Sequence, residues 1–171
     1  FIANQMLKDR DDIRQALIKN KVRLAIMSPT EQTTDIPEHS DLKPKEYWDK
    51  RARGLGATRI RPAVSGAEEN LLHLKGDRYR TESILIHEFA HAYHWRIGTH
   101  DGEIEKTYDA AMGKRLYDAV PRNSLPLGQT TKAYAATNDH EYFAELSEAY
   151  FGKNDFYPFD RAELKRHDPD G

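Results

Sequence analysis

The strongest constraint in this chain is local: His87-Glu88-Phe89-Ala90-His91, set in the apolar run from Ile84 to Trp95. On a helix, positions i and i+4 stack on one face, so His87 and His91 can present two imidazole nitrogens to one ion. Glu88 is turned about 100° from His87 and flanks that ion without having to bind it. A hydrolytic zinc site needs two neutral nitrogen ligands, an open position for water, and a carboxylate to take the water's proton. The short pattern is loose by itself, but its setting narrows it. Ile84, Leu85, Ile86, Phe89, Ala90, Ala92, Tyr93, Trp95 and Ile97 surround the polar residues on most sides, which predicts a core helix. Two His and a Glu inside a core are costly unless something satisfies them, and a divalent metal would.

A catalytic zinc usually takes three protein ligands and a water. The extended pattern HExxHxxGxxH is excluded, because position 94 is His94 rather than Gly and position 97 is Ile97. His94 shares the face of His87 but lies a turn too far along a straight helix to close the same tetrahedron, so it reads as a supporting or packing residue. His100 reads as a solvated loop residue. The remaining source is a later helix, Asp139-His140-Glu141-Tyr142-Phe143-Ala144-Glu145. Glu141, Glu145 and Glu148 could form a solvated acidic face. Tyr142, Phe143, Leu146, Ala149 and Tyr150 predict instead that this helix is buried, where a carboxylate wants a cation. Glu141 then completes the metal set. Glu145, one turn on, would accept the N–H of a ligating His and fix its tautomer.

Length and composition bound the rest. With 171 residues, the chain is one domain, an N-terminal α/β lobe over about 1–98 and a helical lobe over about 99–171. A net charge of −2 gives no electrostatic case for nucleic acid. No apolar run approaches the ~18 residues of a membrane span. The absence of cysteine removes disulfides, a thiolate nucleophile and Cys-ligated zinc. Opening at Phe1, the sequence reads as a mature form or an excised domain. Oligomeric state has no signature in the sequence.

Taken in order, the pattern predicts a helix over 9–20, a strand over 22–27, and a loop over 30–44 broken by Pro37 and Pro44. One or two helical turns follow over 45–52, then a turn at Gly54 and Gly56. Residues 61–65 read as a strand turned by Gly66, and 70–74 as a second strand. The metal helix would start near Thr81 as N-cap and end at Gly98. A helix over 103–119, a loop over 122–131 and a helix over 140–151 complete the plan. Asn138 would cap that last helix and Gly152 would end it. Phe156, Tyr157 and Phe159 would pack back before a polar tail.

Thr137-Asn138-Asp139-His140-Glu141-Tyr142-Phe143-Ala144-Glu145, together with His87-Glu88-Phe89-Ala90-His91, resembles the catalytic domain of anthrax lethal factor. It is also similar to the secreted proline-proline endopeptidases that share that fold. The resemblance covers roughly residues 81–152. It implies an α+β, zincin-like fold, with a small twisted sheet packed on the HExxH helix and a mainly helical C-terminal half. It also implies a secreted protein. In that family the third zinc ligand is the first Glu of a Glu-aromatic-Phe-Ala-Glu run, which corresponds to Glu141. A Tyr seven residues before that Glu reaches the metal-bound oxygen, and Tyr134 stands at that offset.

These readings lead to a zinc-dependent endopeptidase with one Zn²⁺ per chain, held by His87, His91 and Glu141. Glu88 is the general base, and the Tyr134 role comes from the resemblance. The partner is a peptide or protein, paired along an exposed strand edge expected at Asn70, Leu71, Leu72, His73 and Leu74. Two alternatives stand beside it: a zinc hydrolase of a non-peptide amide, and a non-catalytic binding module retaining zinc. The second has no use for Glu88 or Tyr134.

Overall fold

The computed structural model describes residues 1–97 and 101–171, with the side chains of 96, 97 and 101 outside that description. The expectations for Gly98 as helix end and His100 as loop residue lie outside the described residues. Among these, the chain runs through α1 (Ile2–Met6), α2 (Asp11–Lys19), β1 (Arg23–Met27), α3 (Lys45–Arg51), β2 (Gly54–Leu55), β3 (Ala63–Ala67) and α4 (Glu68–Leu71). It continues through α5 (Ile84–Ile97), α6 (Asp101–Gly113), α7 (Asp139–Phe151) and α8 (Arg161–His167). The fold is α+β.

The sheet is mixed, in the order β1-β3-β2. β1 pairs parallel to β3, from Arg23 opposite Ala63 to Met27 opposite Ala67. A parallel pair needs a crossover, and the connection between these strands carries α3. β2 returns antiparallel to β3, with Gly54 opposite Gly66 and Leu55 opposite Ser65. The central strand, Ala63-Val64-Ser65-Gly66-Ala67, is buried along its whole length. Its small side chains let α5 lie close, for a Cβ built on Gly66 would stand only 3.1 Å from Leu85 Cδ1. Val64, Leu85 and Phe89 then share one core with Ile13 and Leu17 of α2 and Ala144 of α7. Burying a side chain such as Phe89 is worth about 1.5–3 kcal/mol, so this core alone fixes α5 between sheet and helices.

A second core lies on the far side of α7, where Tyr117, Tyr142, Leu146, Phe156 and Leu164 meet. The Tyr117 and Tyr142 hydroxyls both donate to Asp168 Oδ2, at 3.1 and 2.6 Å. The tail is therefore not merely polar: α8 forms behind the Asp160 cap, which accepts from Ala162 N and Glu163 N, and it docks through Leu164.

Several local expectations change. Gly54 and Gly56 do not simply turn the chain, since Gly54 and Leu55 form the edge strand β2. Gly66 sits inside β3 instead of ending it. Residues 70–74 form no strand. Asn70 and Leu71 close the short helix α4, whose first turn carries Glu68 and Glu69, and Leu72 and Leu74 are exposed. Two acidic residues in a first turn favour a helix start over a strand. Asn70 is buried as a staple: its Nδ2 donates to Tyr79 O and Glu82 O, and its Oδ1 accepts from Ile84 N. It satisfies the start of α5 where Thr81 was expected to do so.

Gly54 has a steric reason to be glycine. An added Cβ would meet the Ile84 side chain and lie 2.8 Å from the Ser65 carbonyl oxygen, which is backbone and cannot swing away. Gly54→Ala should cost about 1–3 kcal/mol of stability by prising β2 off α5. Urea unfolding measures this, and a neutral result would show that β2 is not clamped there.

Candidate metal centre

α5 and α7 bring the two sequence motifs together. His87 and His91 lie one turn apart on α5, and Glu141 lies in the first turn of α7. That first turn is set locally, because Asn138 Oδ1 accepts from Glu141 N at 2.9 Å, the cap read from sequence. Glu141 Oε2 lies 3.1 Å from His87 Nε2 and 3.3 Å from His91 Nε2. The candidate donor atoms of all three residues lie within 4.8 Å of one another. A tetrahedral ion about 2.0–2.2 Å from each ligand has ligand–ligand edges of roughly 3.4 Å. The spacing, two imidazoles, one carboxylate and no thiolate fit a divalent metal of the zinc type.

The electrostatics agree. Burial alone would raise the Glu141 carboxyl, but hydrogen bonds with His87 and His91 outweigh it and hold it well below the usual carboxylate range. Burial opposes charge on His87, yet Glu141 and Glu148 overcome it and raise that ring well above its ordinary value. A site that draws protons onto an imidazole between carboxylates would draw a cation in their place.

Glu88 follows His87 on α5 and faces the same cleft, of about 570 Å³. Burial raises its carboxyl above the usual range, the direction that suits a proton acceptor working near neutrality. Tyr134 arrives from the short turn Tyr134–Ala136. Its hydroxyl donates to Glu141 Oε1 at 3.2 Å, and its ring stacks on His87 with centroids 6.3 Å apart. Tyr134 therefore stands beside the three donor residues.

The partner that orients His87 differs from the expectation. Glu148 Oε1 lies 2.8 Å from His87 Nδ1, whereas Glu145 Oε1 is 3.7 Å away. Glu148 is fully buried, and its other oxygen accepts from Ser83 N at the start of α5. Its spacing of seven from Glu141 put it on the same face of α7, which was the available signal. The depth at which α7 crosses α5 chose between the two carboxylates. Glu148→Gln should weaken metal binding about 10–100-fold, since one carbonyl oxygen cannot replace both acceptors. Glu145→Gln should do less, by chelator competition. The reverse order would return the orienting role to Glu145.

His94 stays out of this group. It is buried, stacks on His140 with ring centroids 4.2 Å apart, and meets the edge of Phe143. None of residues 70–74 lines the cleft, whose sheet-side wall comes from Gly54 and Leu55. Of the loop 122–131, only Arg122 lines it.

No curated protein and no solved structure matches the chain. The family described as glucose-regulated metallo-peptidase M90 matches residues 47–157, a span that holds α5, the Tyr134 turn and the whole of α7. The match covers well over half of the chain, and the matched span contains His87, Glu88, His91 and Glu141; the chain belongs to this metallo-peptidase family.

Proposed function

We propose that the protein is a zinc-dependent endopeptidase with a zincin-like active site. His87, His91 and Glu141 hold one Zn²⁺. The observation that carries this is the convergence of His87 Nε2, His91 Nε2 and Glu141 Oε2 in a cleft that Glu88 and Tyr134 also line. Bound zinc supplies a Lewis acid that lowers the pKa of a water to about 7 and polarises the substrate carbonyl. Glu148 accepts the Nδ1–H of His87 and so keeps Nε2 free to bind. Glu88 takes the proton of the attacking water and returns it to the leaving amine. The Tyr134 hydroxyl donates to the substrate oxygen as that oxygen gains charge.

The substrate would lie along β2. This is an edge strand, it lines the cleft, and a Cβ built on Gly56 would stand 2.9 Å from His91 Cβ, so the chain there runs hard against the metal-binding turn. An extended peptide pairing with that edge gains main-chain hydrogen bonds while one carbonyl faces the metal. The role first expected of residues 70–74 passes to Gly54 and Leu55.

Elemental analysis of protein purified without chelator should give one zinc per chain. A peptide pool should be cleaved internally, with cleavage lost on treatment with 1,10-phenanthroline and regained with Zn²⁺. Stoichiometric zinc without peptide cleavage would favour a non-peptide amide or a binding module. Absence of stoichiometric metal would remove the reading.

A further inference from the structure

The mechanism leaves one end of the cleft without a role. Beside His87 its wall is made by Glu82, Glu145, Arg122, Asp155 and Phe156. The carboxylates here are unevenly satisfied. Asp155 accepts from Arg122 Nε at 2.9 Å, and Glu148, behind the wall, is engaged by His87 and Ser83. Glu145 is only 2% exposed, yet its Oε2 has no hydrogen-bond partner. The Glu82 side chain makes no hydrogen bond among the described residues, and it opens on the cleft. Burial, together with the negative charges of Glu148 and Asp155, pushes the Glu82 carboxyl up to about 8.

Like charges crowded at the margin of a cavity, with a buried oxygen left bare, are costly unless a cation joins them. The cation in this wall, Arg122, is already bound to Asp155 and lies over the Phe156 ring at 4.5 Å. Phe156 also lines this wall, so the alkyl stem of an entering side chain meets an apolar neighbour while its charged head reaches the carboxylates. An extended peptide passing the metal would project alternate side chains into the walls of the cleft.

We propose that this end of the cleft is a specificity subsite for a cationic side chain of the substrate, Lys or Arg, close to the scissile bond, recognised by Glu82 and Glu145. This rests on the peptidase reading above. A desolvated ammonium beside the two carboxyl groups favours their ionised forms and gives them a partner, whereas a neutral chain of the same length leaves both without one. Glu82 is the residue to change, because its side chain holds up nothing else and Glu145 also touches His87.

The test uses quenched fluorescent peptides, identical except for Lys, Arg, norleucine or Glu at each position flanking the cleaved bond. The zinc-loaded protein should prefer Lys or Arg over norleucine at one position by about 10-fold or more in kcat/KM. Glu82→Gln should reduce that ratio at least several-fold, mainly through KM. Cleavage with no basic preference at any position, or a preference that Glu82→Gln leaves intact, overturns the subsite while sparing the peptidase. No cleavage of any peptide overturns both. A second equivalent of metal in the wild type, lost in Glu82→Gln, would also overturn it by giving the carboxylates to an ion.

Discussion

Glu88→Gln is expected to lower kcat by at least about 10³-fold while leaving zinc content, fold and KM nearly unchanged. The amide keeps the size of the side chain and its place in the cleft, but it cannot accept a proton. General base catalysis contributes about 10²–10⁴-fold, and here the same group must also deliver the proton to the leaving amine. The burial that raises the Glu88 carboxyl makes a neutral amide easy to accommodate, so the variant should fold at least as well as the parent. Elemental analysis, thermal unfolding and single-turnover cleavage separate the possibilities. A Gln variant that stays within ten-fold of the parent would show that another group takes the proton.

Glu141→Ala should lose the metal itself, and with it all turnover. Glu141 Oε2 is the oxygen between the two imidazoles, and its removal leaves a two-His site with neither charge neutralisation nor a third ligand. Zinc affinity should fall by several orders of magnitude, against the ~10–100-fold expected for a supporting residue such as Glu148. Tyr134 also loses its hydrogen-bond acceptor in this variant, so the turn that carries it should loosen. The thermal midpoint of the parent should rise on adding Zn²⁺, because a ligand that binds only the folded state stabilises it. That of Glu141→Ala should not respond. A variant that retains one zinc per chain would exclude Glu141 as a ligand.

The parts legible in the sequence are those decided within a turn or two of helix. His87 and His91 stack because they are four residues apart, and Glu141 begins α7 at a fixed offset from Asn138, whose side chain caps it. The amphipathic α2 and the strand β1 also follow from local periodicity. The choice of Glu141 as a ligand rests on a longer argument, the burial of α7 read from its aromatic residues, and the packing brings its Oε2 to within 3.3 Å of both imidazoles.

Tertiary structure decided what local pattern leaves open. Gly54-Leu55 is two residues long and has no periodicity; it is a strand only because β3 offers it a partner and Gly54 fits against Ile84. Asn70-Leu71-Leu72-His73-Leu74 is apolar enough to read as a strand, but no sheet edge reaches it, and Asn70 is drawn inward to staple α5. Glu145 and Glu148 are equivalent in sequence as partners for His87, since both lie on the inner face of α7. The crossing of α7 over α5 set their distances from Nδ1 at 3.7 and 2.8 Å, and so gave the contact to Glu148. The same crossing left Glu145 Oε2 buried without a hydrogen-bond partner. Local spacing fixes which side chains share a face; only the packing of one element on another fixes which of them touch.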